Sequence, residues 1–295
     1  VVRGRELVKT YLDCVPCFLR QTLEAVRMVT PDPQLGEDVL RKVLILISEM
    51  DFNQSPPYMG WQIHRLVRQV SNNSDPYREV KNRFNKFALE LYPQLKEKVA
   101  SSSDPFQIAV RLAIAGNIID FGVTGDIDWQ VVKDTIADAI NEPINQGALR
   151  RLQAKAFSSE NILYLADNAG EIVFDRLLLE ELPLEKVTLV LKGSPVINDA
   201  TLEDAEYAEL DGLVKVVDNG SDVPGTILAD CSAGFRRLFE QADLVIAKGQ
   251  GNYETLSEEA REIFFLLKVK CPVIARDIGC QPGSFVVLKK GARPH

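Results

Sequence analysis

Asp167 and Asn168 follow an apolar run, Ile162 to Ala166, and precede a small turn, Ala169-Gly170, that opens into a second apolar stretch from Ile172 to Leu182. The pattern predicts a strand, a turn and a helix, with two oxygen-bearing side chains at the carboxyl end of the strand. Open α/β sheets bind ligands there. The same order is predicted four more times, with units ending at Lys192, Asp218, Lys248 and Asp277. Two acidic and two basic ends beside Asp167 suggest a site that takes an anion and a cation together. Asp and Asn oxygens are hard ligands suited to a divalent ion such as Mg²⁺ or Mn²⁺. Asp199, after Pro195-Val196-Ile197-Asn198, is a further oxygen donor. The plainer reading is that Asp167 or Asn168 caps the following helix.

The cationic counterparts are Lys192-Gly193-Ser194 and Lys248-Gly249-Gln250-Gly251-Asn252. Glycine opens backbone N–H groups to a ligand, and a following helix N-terminus favours an anion. Lysine neutralises phosphate as a point charge, whereas a solvent-facing strand end is the ordinary alternative. The Lys248 loop lacks the third glycine of a dinucleotide fingerprint, and the chain has no Walker loop. Glu254, just beyond it, could bind a substrate hydroxyl or orient water, or simply favour the helix dipole as an early acid. Asp218 to Thr226 reads as a polar, flexible connection able to cover a ligand, although Asn219-Gly220 is also a common turn. Asn117 and Asp120 share a helical face by their spacing and could close the pocket from another element, or belong to a helix end terminated by Gly122.

These residues need elements to hold them. Residues 1–155 read as mostly helical, with a helical subdomain near 30–100, and residues 156–295 as a Rossmann-like domain. The expected helices are Cys17 to Val29, Glu37 to Met50, Met59 to Val70, Tyr77 to Tyr92, Phe106 to Ile119 and Asp128 to Ile140, with Arg150 to Phe157 leading to the first strand. After Ser159 the expected strands are Ile162–Ala166, Val187–Leu191, Val214–Val217, Leu244–Ala247 and Val273–Ala275, with Phe285 to Leu288 a last, antiparallel candidate. Helices over Ile172–Glu181, Leu202–Glu209, Ile227–Glu240 and Thr255–Leu267 would cover both faces. The fold class is therefore α/β: a three-layer α/β/α domain with a predominantly helical N-terminal region.

Composition bounds the partners. The 295 residues carry a formal charge of −8 and no long like-charge run, which argues against a nucleic-acid backbone binder. No apolar span reaches the length of a membrane helix, and no signal-peptide core precedes Tyr11, so the expectation is a cytoplasmic protein. Two histidines exclude a multi-histidine metal centre within one chain. Five cysteines are too few for a disulfide-built fold. Cys14 and Cys17 have the spacing of a metal or redox pair but no second pair nearby, so a structural zinc and ordinary packing are both open; the expectation is a structural role.

Together, Cys14-x-x-Cys17, Ala115-Gly116-Asn117-Ile118-Ile119-Asp120-Phe121-Gly122, Asp167-Asn168-Ala169-Gly170-Glu171, Lys192-Gly193-x-Pro195-x-x-Asn198-Asp199-Ala200-Thr201 and Lys248-Gly249-Gln250-Gly251-Asn252-Tyr253-Glu254 closely resemble the DUF89 family of damage-control phosphatases, also called ARMT1-like. The pattern with the N-terminal CxxC looks like its compact prokaryotic branch. The resemblance implies a metal-dependent phosphatase acting on small phosphorylated metabolites such as sugar phosphates. It implies one divalent ion (Mg, Mn, Co or Ni) on Asp167, Asn168 and Asp199, and phosphate held by Lys248. Asn117, Asp120, Lys192, Gly249 and Asn252 are the further candidates for substrate binding, and Asp199 or Glu254 for orienting the attacking water. The alternatives are a phosphometabolite-binding protein without turnover and a carboxyl methyltransferase using S-adenosylmethionine. The latter should carry a Gly-rich loop after its first strand, where this chain has Asp167-Asn168.

Overall fold

The computed structural model describes residues 8–118 and 129–290. Seven helices come first: α1 (Cys14–Val29), α2 (Pro33–Ser48), α3 (Pro56–Ser71), α4 (Arg78–Ala100), α5 (Pro105–Ala115), α6 (Trp129–Ala139) and α7 (Gln146–Ser158). Their starts follow from local chemistry. Asp32 and Asp104 accept from backbone N–H groups of the first turns of α2 and α5, each with proline at the helix start. α4 runs on through Pro93, beyond the expected stop at Tyr92, because its apolar stripe continues through Leu95 and Val99, both buried.

The second half alternates β1 (Ile162–Leu165), α8 (Glu171–Leu179), β2 (Val187–Leu191), α9 (Leu202–Tyr207), β3 (Lys215–Asp218), α10 (Ala233–Gln241), β4 (Leu244–Lys248), α11 (Gly249–Leu256), β5 (Ile263–Lys268), α12 (Pro272–Ile278) and β6 (Phe285–Lys290). The sheet order is β3-β2-β1-β4-β5-β6, parallel except for β6, which pairs antiparallel with β5. Successive strand residues enter different cores. Tyr164, Leu189, Ile246 and Phe264 pack with α4, α5 and α8, whereas Leu163, Val190, Val245 and Phe265 pack with α10, α11 and α12. Both sheet faces are covered, which explains the continuous apolar strands. The first of these cores runs without a break from the N-terminal helices into the sheet.

Three expectations are corrected. The fifth strand is Ile263–Lys268, within the stretch expected as a helix from Thr255 to Leu267, and Val273–Ala275 lies in α12. Ile263 to Leu267 is a short, wholly apolar run whose period cannot separate strand from helix. Pro272 occupies the first turn of α12, where a missing N–H costs nothing. Asp277 therefore sits in a helix rather than at a strand end. The helix expected from Ile227 starts only at Ala233, where Ser232 accepts from the Phe235 N–H.

Candidate active site

The order β3-β2-β1-β4-β5 reverses direction between β1 and β4, and chains leaving those two strands part to opposite faces. Asp167 and Asn168 leave β1 at this point, and Lys248 ends β4. The loops after β1 and β2 are laced together. Ala200 N donates to Asp167 O (2.9 Å), Ala169 N to Asn198 O (2.8 Å), and Asn168 faces Asp199 across an isolated antiparallel bridge. This lacing brings Asp167, Asn168 and Asp199 from two loops to one place. Gly249 closes the crevice from the β4 side. Its φ is +78°, and a Cβ there would lie 1.9 Å from Asp167 Oδ2, so the Asp167 carboxylate rests directly against the glycine backbone.

Two amides bind two carboxylates together. Asn117, in a short 3₁₀ turn after α5, donates through Nδ2 to Asp167 Oδ2 (2.7 Å) and Glu171 Oε2 (2.5 Å). Asn168 Nδ2 donates to the same two oxygens (2.8 and 2.9 Å), which leaves its amide oxygen to meet a ligand. Burial pushes the Asp167 carboxyl well above its ordinary range, and the nearby charges of Glu171 and Asp199 add to the push. Burial also lifts Asp199, to about 6, against the opposing Lys192 ammonium, whose Nζ lies 3.5 Å from Oδ2. Asp199 Oδ2 and Asn117 Oδ1 are buried without a hydrogen-bond partner.

A set of crowded, buried carboxylates suits a bound cation, and hard oxygen donors suit a divalent one. Among the described residues, no three His, Cys, Asp or Glu side chains are grouped so as to hold a metal by themselves. A cation here would need the Asn168 oxygen beside Asp167 and Asp199.

Lys248 departs from its sequence-based role. Its side chain is fully buried, and Nζ donates to Ala113 O (2.7 Å), Glu171 Oε1 (2.7 Å) and Asp175 Oδ1 (2.5 Å). All three ammonium donors are spent, so the group is turned inward rather than offered to phosphate. Asp175 also accepts from the Tyr164 hydroxyl (2.8 Å) and, despite Lys248, is lifted to about 6 by burial.

Asn252 is likewise internal. Its Nδ2 donates to Ala166 O and Lys248 O, and its Oδ1 accepts from Thr226 Oγ1, tying β1, β4 and the loop after β3 together. Lys192 Nζ donates to Val223 O and Gly225 O while facing Asp199. That loop, expected to be flexible, is largely buried from Ser221 to Thr226 and anchored to α3 through Trp61 and Arg68, both bonded to Asp222. Asp120 lies outside the described residues.

Glu254 stands on α11, half-buried, with its carboxyl pushed up to about 7 by burial. Gln250 donates to it (2.9 Å), and the Lys270 charge acts on it as well as on Asp167 and Asp199. Lys270 is exposed and follows β5 at the same edge of the sheet. Cys14 opens α1. Burial raises its thiol to about 11 and raises that of Cys17 too, so both stay protonated at neutral pH, unlike reactive thiolates.

Sequence reasoning missed Glu171 as a site group, Asp175, Gln250 and Lys270. The four-residue spacing of Glu171 and Asp175 on one helix face was a usable signal for a shared partner. Lys270 gave none while β5 was read as helix, because the strand end that displays it was hidden.

Residues 10–286 match the family model described as the damage-control phosphatase ARMT1-like domain. The chain is 37% identical to a protein named damage-control phosphatase from Archaeoglobus fulgidus, over 92% of this chain and 96% of that one. It is 34% identical to another of that name from Pyrococcus horikoshii, over 96% and 98% of the two chains. The crystal structure of a DUF89 family protein from Pyrococcus horikoshii superposes with a TM-score of 0.86 at 33% identity, covering 96% of this chain and 99% of that one. The chain belongs to the DUF89 family of ARMT1-like damage-control phosphatases.

Proposed function

We propose that the protein is a divalent-metal-dependent phosphatase of small phosphorylated metabolites, with its reaction centre at the β1/β4 crevice. The observation that carries this is the convergence of Asp167, Asn168 and Asp199 from two loops, with both carboxylates buried and crowded together. These three would hold the ion (Mg, Mn, Co or Ni). When bound, such an ion supplies a Lewis acid for a phosphoryl oxygen and lowers the pKa of a water.

The remaining work falls to the chain. The Asn117 and Asn168 amides tie the Asp167 carboxylate to that of Glu171, and the Lys248 ammonium holds Glu171 beside Asp175. Lys270, exposed and acting on Asp167, Asp199 and Glu254 together, would draw the anionic ester to the carboxylates. Glu254, titrating near neutrality, would orient the attacking water and take its proton. Lys192 would hold Asp199 and the loop after β3 rather than the substrate. We place the chain in the CxxC branch of the family on Cys14 and Cys17, and, on its free cysteines, in the cytoplasm.

Phosphate release from a panel of small phosphoesters, with chelator and with each of Mg²⁺, Mn²⁺, Co²⁺ and Ni²⁺, tests the reading. Metal-stimulated turnover of part of the panel is expected. Saturable binding without turnover in any metal would favour a binding protein, and methyl transfer from S-adenosylmethionine without phosphate release would overturn the assignment.

A further inference from the structure

Gln250, met above as the donor to Glu254, has no stated role in the reaction, yet both ends of its side chain are committed. Its Nε2 donates to Glu254 Oε1 (2.9 Å) and also reaches Cys271 Sγ (3.5 Å). Its Oε1 accepts from the Lys270 backbone N–H (3.0 Å). One amide therefore joins the first turn of α11, which carries Glu254, to the loop after β5, which carries Lys270 and Cys271. One bond lies within α11 and the others cross to the loop after β5; α11 and that loop leave neighbouring strands of the sheet, β4 and β5.

We propose that Gln250 is a positioning residue that sets the Glu254 carboxylate and the Lys270 segment in one fixed arrangement at the mouth of the site. The proposal rests on the reading of Glu254 as the group that orients water.

The electrostatics give the device a measurable consequence. The titratable groups around Glu254 are Lys270 from the loop after β5, Cys14 and Cys17 from the start of α1, and Cys271 from the start of α12, which shares the Gln250 amide with it. The Gln250 bond and the Lys270 charge both hold the Glu254 carboxyl down against burial. A carboxylate that loses a donor of this kind becomes harder to ionise. If activity needs ionised Glu254, removing the donor moves the acid limb of the pH–rate profile upward, whereas a merely structural loss lowers activity by one factor at every pH.

The test compares wild type, Gln250→Leu and Gln250→Glu, all with Mn²⁺, by kcat/KM from pH 5 to 9. Gln250→Glu keeps an acceptor for the Lys270 N–H but loses the donor and adds a like charge beside Glu254. The expected result is an acid limb displaced upward by about one pH unit or more in both variants, and no such limb in Glu254→Gln. Unmoved limbs in both variants would overturn the proposal, as would a limb that survives in Glu254→Gln.

A second readout needs no turnover. Selective ¹³C labelling of glutamate carboxyls, with Glu254 identified by its loss in Glu254→Gln, follows the same titration directly. An unshifted Glu254 titration in folded Gln250→Glu overturns the proposal even if wild type proves inactive. Inactive wild type with a shifted titration removes the phosphatase reading alone.

Discussion

Replacing Lys248 by Met separates an internal support from a phosphate ligand. The side chain is fully buried and its ammonium meets two buried carboxylates and one carbonyl. Methionine fills similar space but leaves Glu171 and Asp175 facing each other without a cation. Breaking a buried ion pair from one side costs about 3–5 kcal/mol, and the orphaned Ala113 carbonyl adds roughly 1 kcal/mol. That is a large part of a typical folding free energy of about 5–15 kcal/mol.

The cost depends on pH. Asp175 stands at about 6 with Lys248 beside it, above its unfolded value, and loss of the cation raises it further. A carboxyl whose folded pKa exceeds the unfolded one takes up a proton on folding, so its contribution is present at low pH and lost as pH rises through the folded pKa. The deficit of Lys248→Met should therefore be largest near pH 8 and shrink by up to about 1.4 kcal/mol per unit toward pH 6. Urea denaturation at both pH values reads this, with a midpoint lowered by about 1 M or more at pH 8. A variant as stable as wild type at pH 8, but with a sharply raised KM for phosphoester, would refute the reasoning and return Lys248 to the substrate.

Gly249→Ala puts a Cβ 1.9 Å from Asp167 Oδ2 and strains a residue at φ +78°. The strain alone costs about 1–3 kcal/mol, and Asp167 must move, so metal affinity measured by calorimetry should fall more steeply than the thermal midpoint. Lys270→Ala, at an exposed position, should leave the thermal midpoint unchanged while raising KM for phosphoester and flattening its salt dependence; an unchanged KM would remove Lys270 from the site.

His64 is buried against the Tyr77 hydroxyl (2.8 Å), and burial, helped by the Arg68 charge, lowers it from 6.5 to about 3. The unfolded chain binds this proton below pH 6.5 and the folded chain does not, so stability is lost as pH falls from 6.5 toward 3. The slope approaches about 1.4 kcal/mol per unit. Thermal midpoints of wild type and His64→Gln between pH 7.5 and 4.5 should converge or cross; parallel curves would count against it.

The alternating fold was readable where strands are short and bounded by turn residues, as for Ile162 to Ala166 and Leu244 to Ala247. It was not readable across residues 255–275, where one apolar run carries a strand and the next proline opens a helix instead of interrupting one. The position of Asp167 and Asn168 at the sheet edge was legible because a strand end followed by a small turn displays side chains; Asp199 comes beside them through the loop after β2. The direction in which a lysine points was not. Lys248 and Lys192 end strands at the right edge, yet both ammonium groups turn inward to partners on α8, α5 and the loop after β3, contacts that only the packed helices create. Gln250 escaped notice in part for the same reason: its spacing from Glu254 on α11 was visible, but its partners Lys270 and Cys271 follow another strand.

The proposed phosphatase requires Asp167, Asn168 and Asp199 to bind one catalytic divalent ion together. Calorimetric titration of Mn²⁺ into chelator-treated wild type, Asp167→Asn and Asp199→Asn tests it most directly, with the thermal midpoint of each protein taken as the control for folding. The prediction is a single site in wild type and affinity lower by at least tenfold in each folded variant, accompanied by loss of metal-stimulated phosphate release. Wild-type affinity and stoichiometry in both variants would contradict the claim.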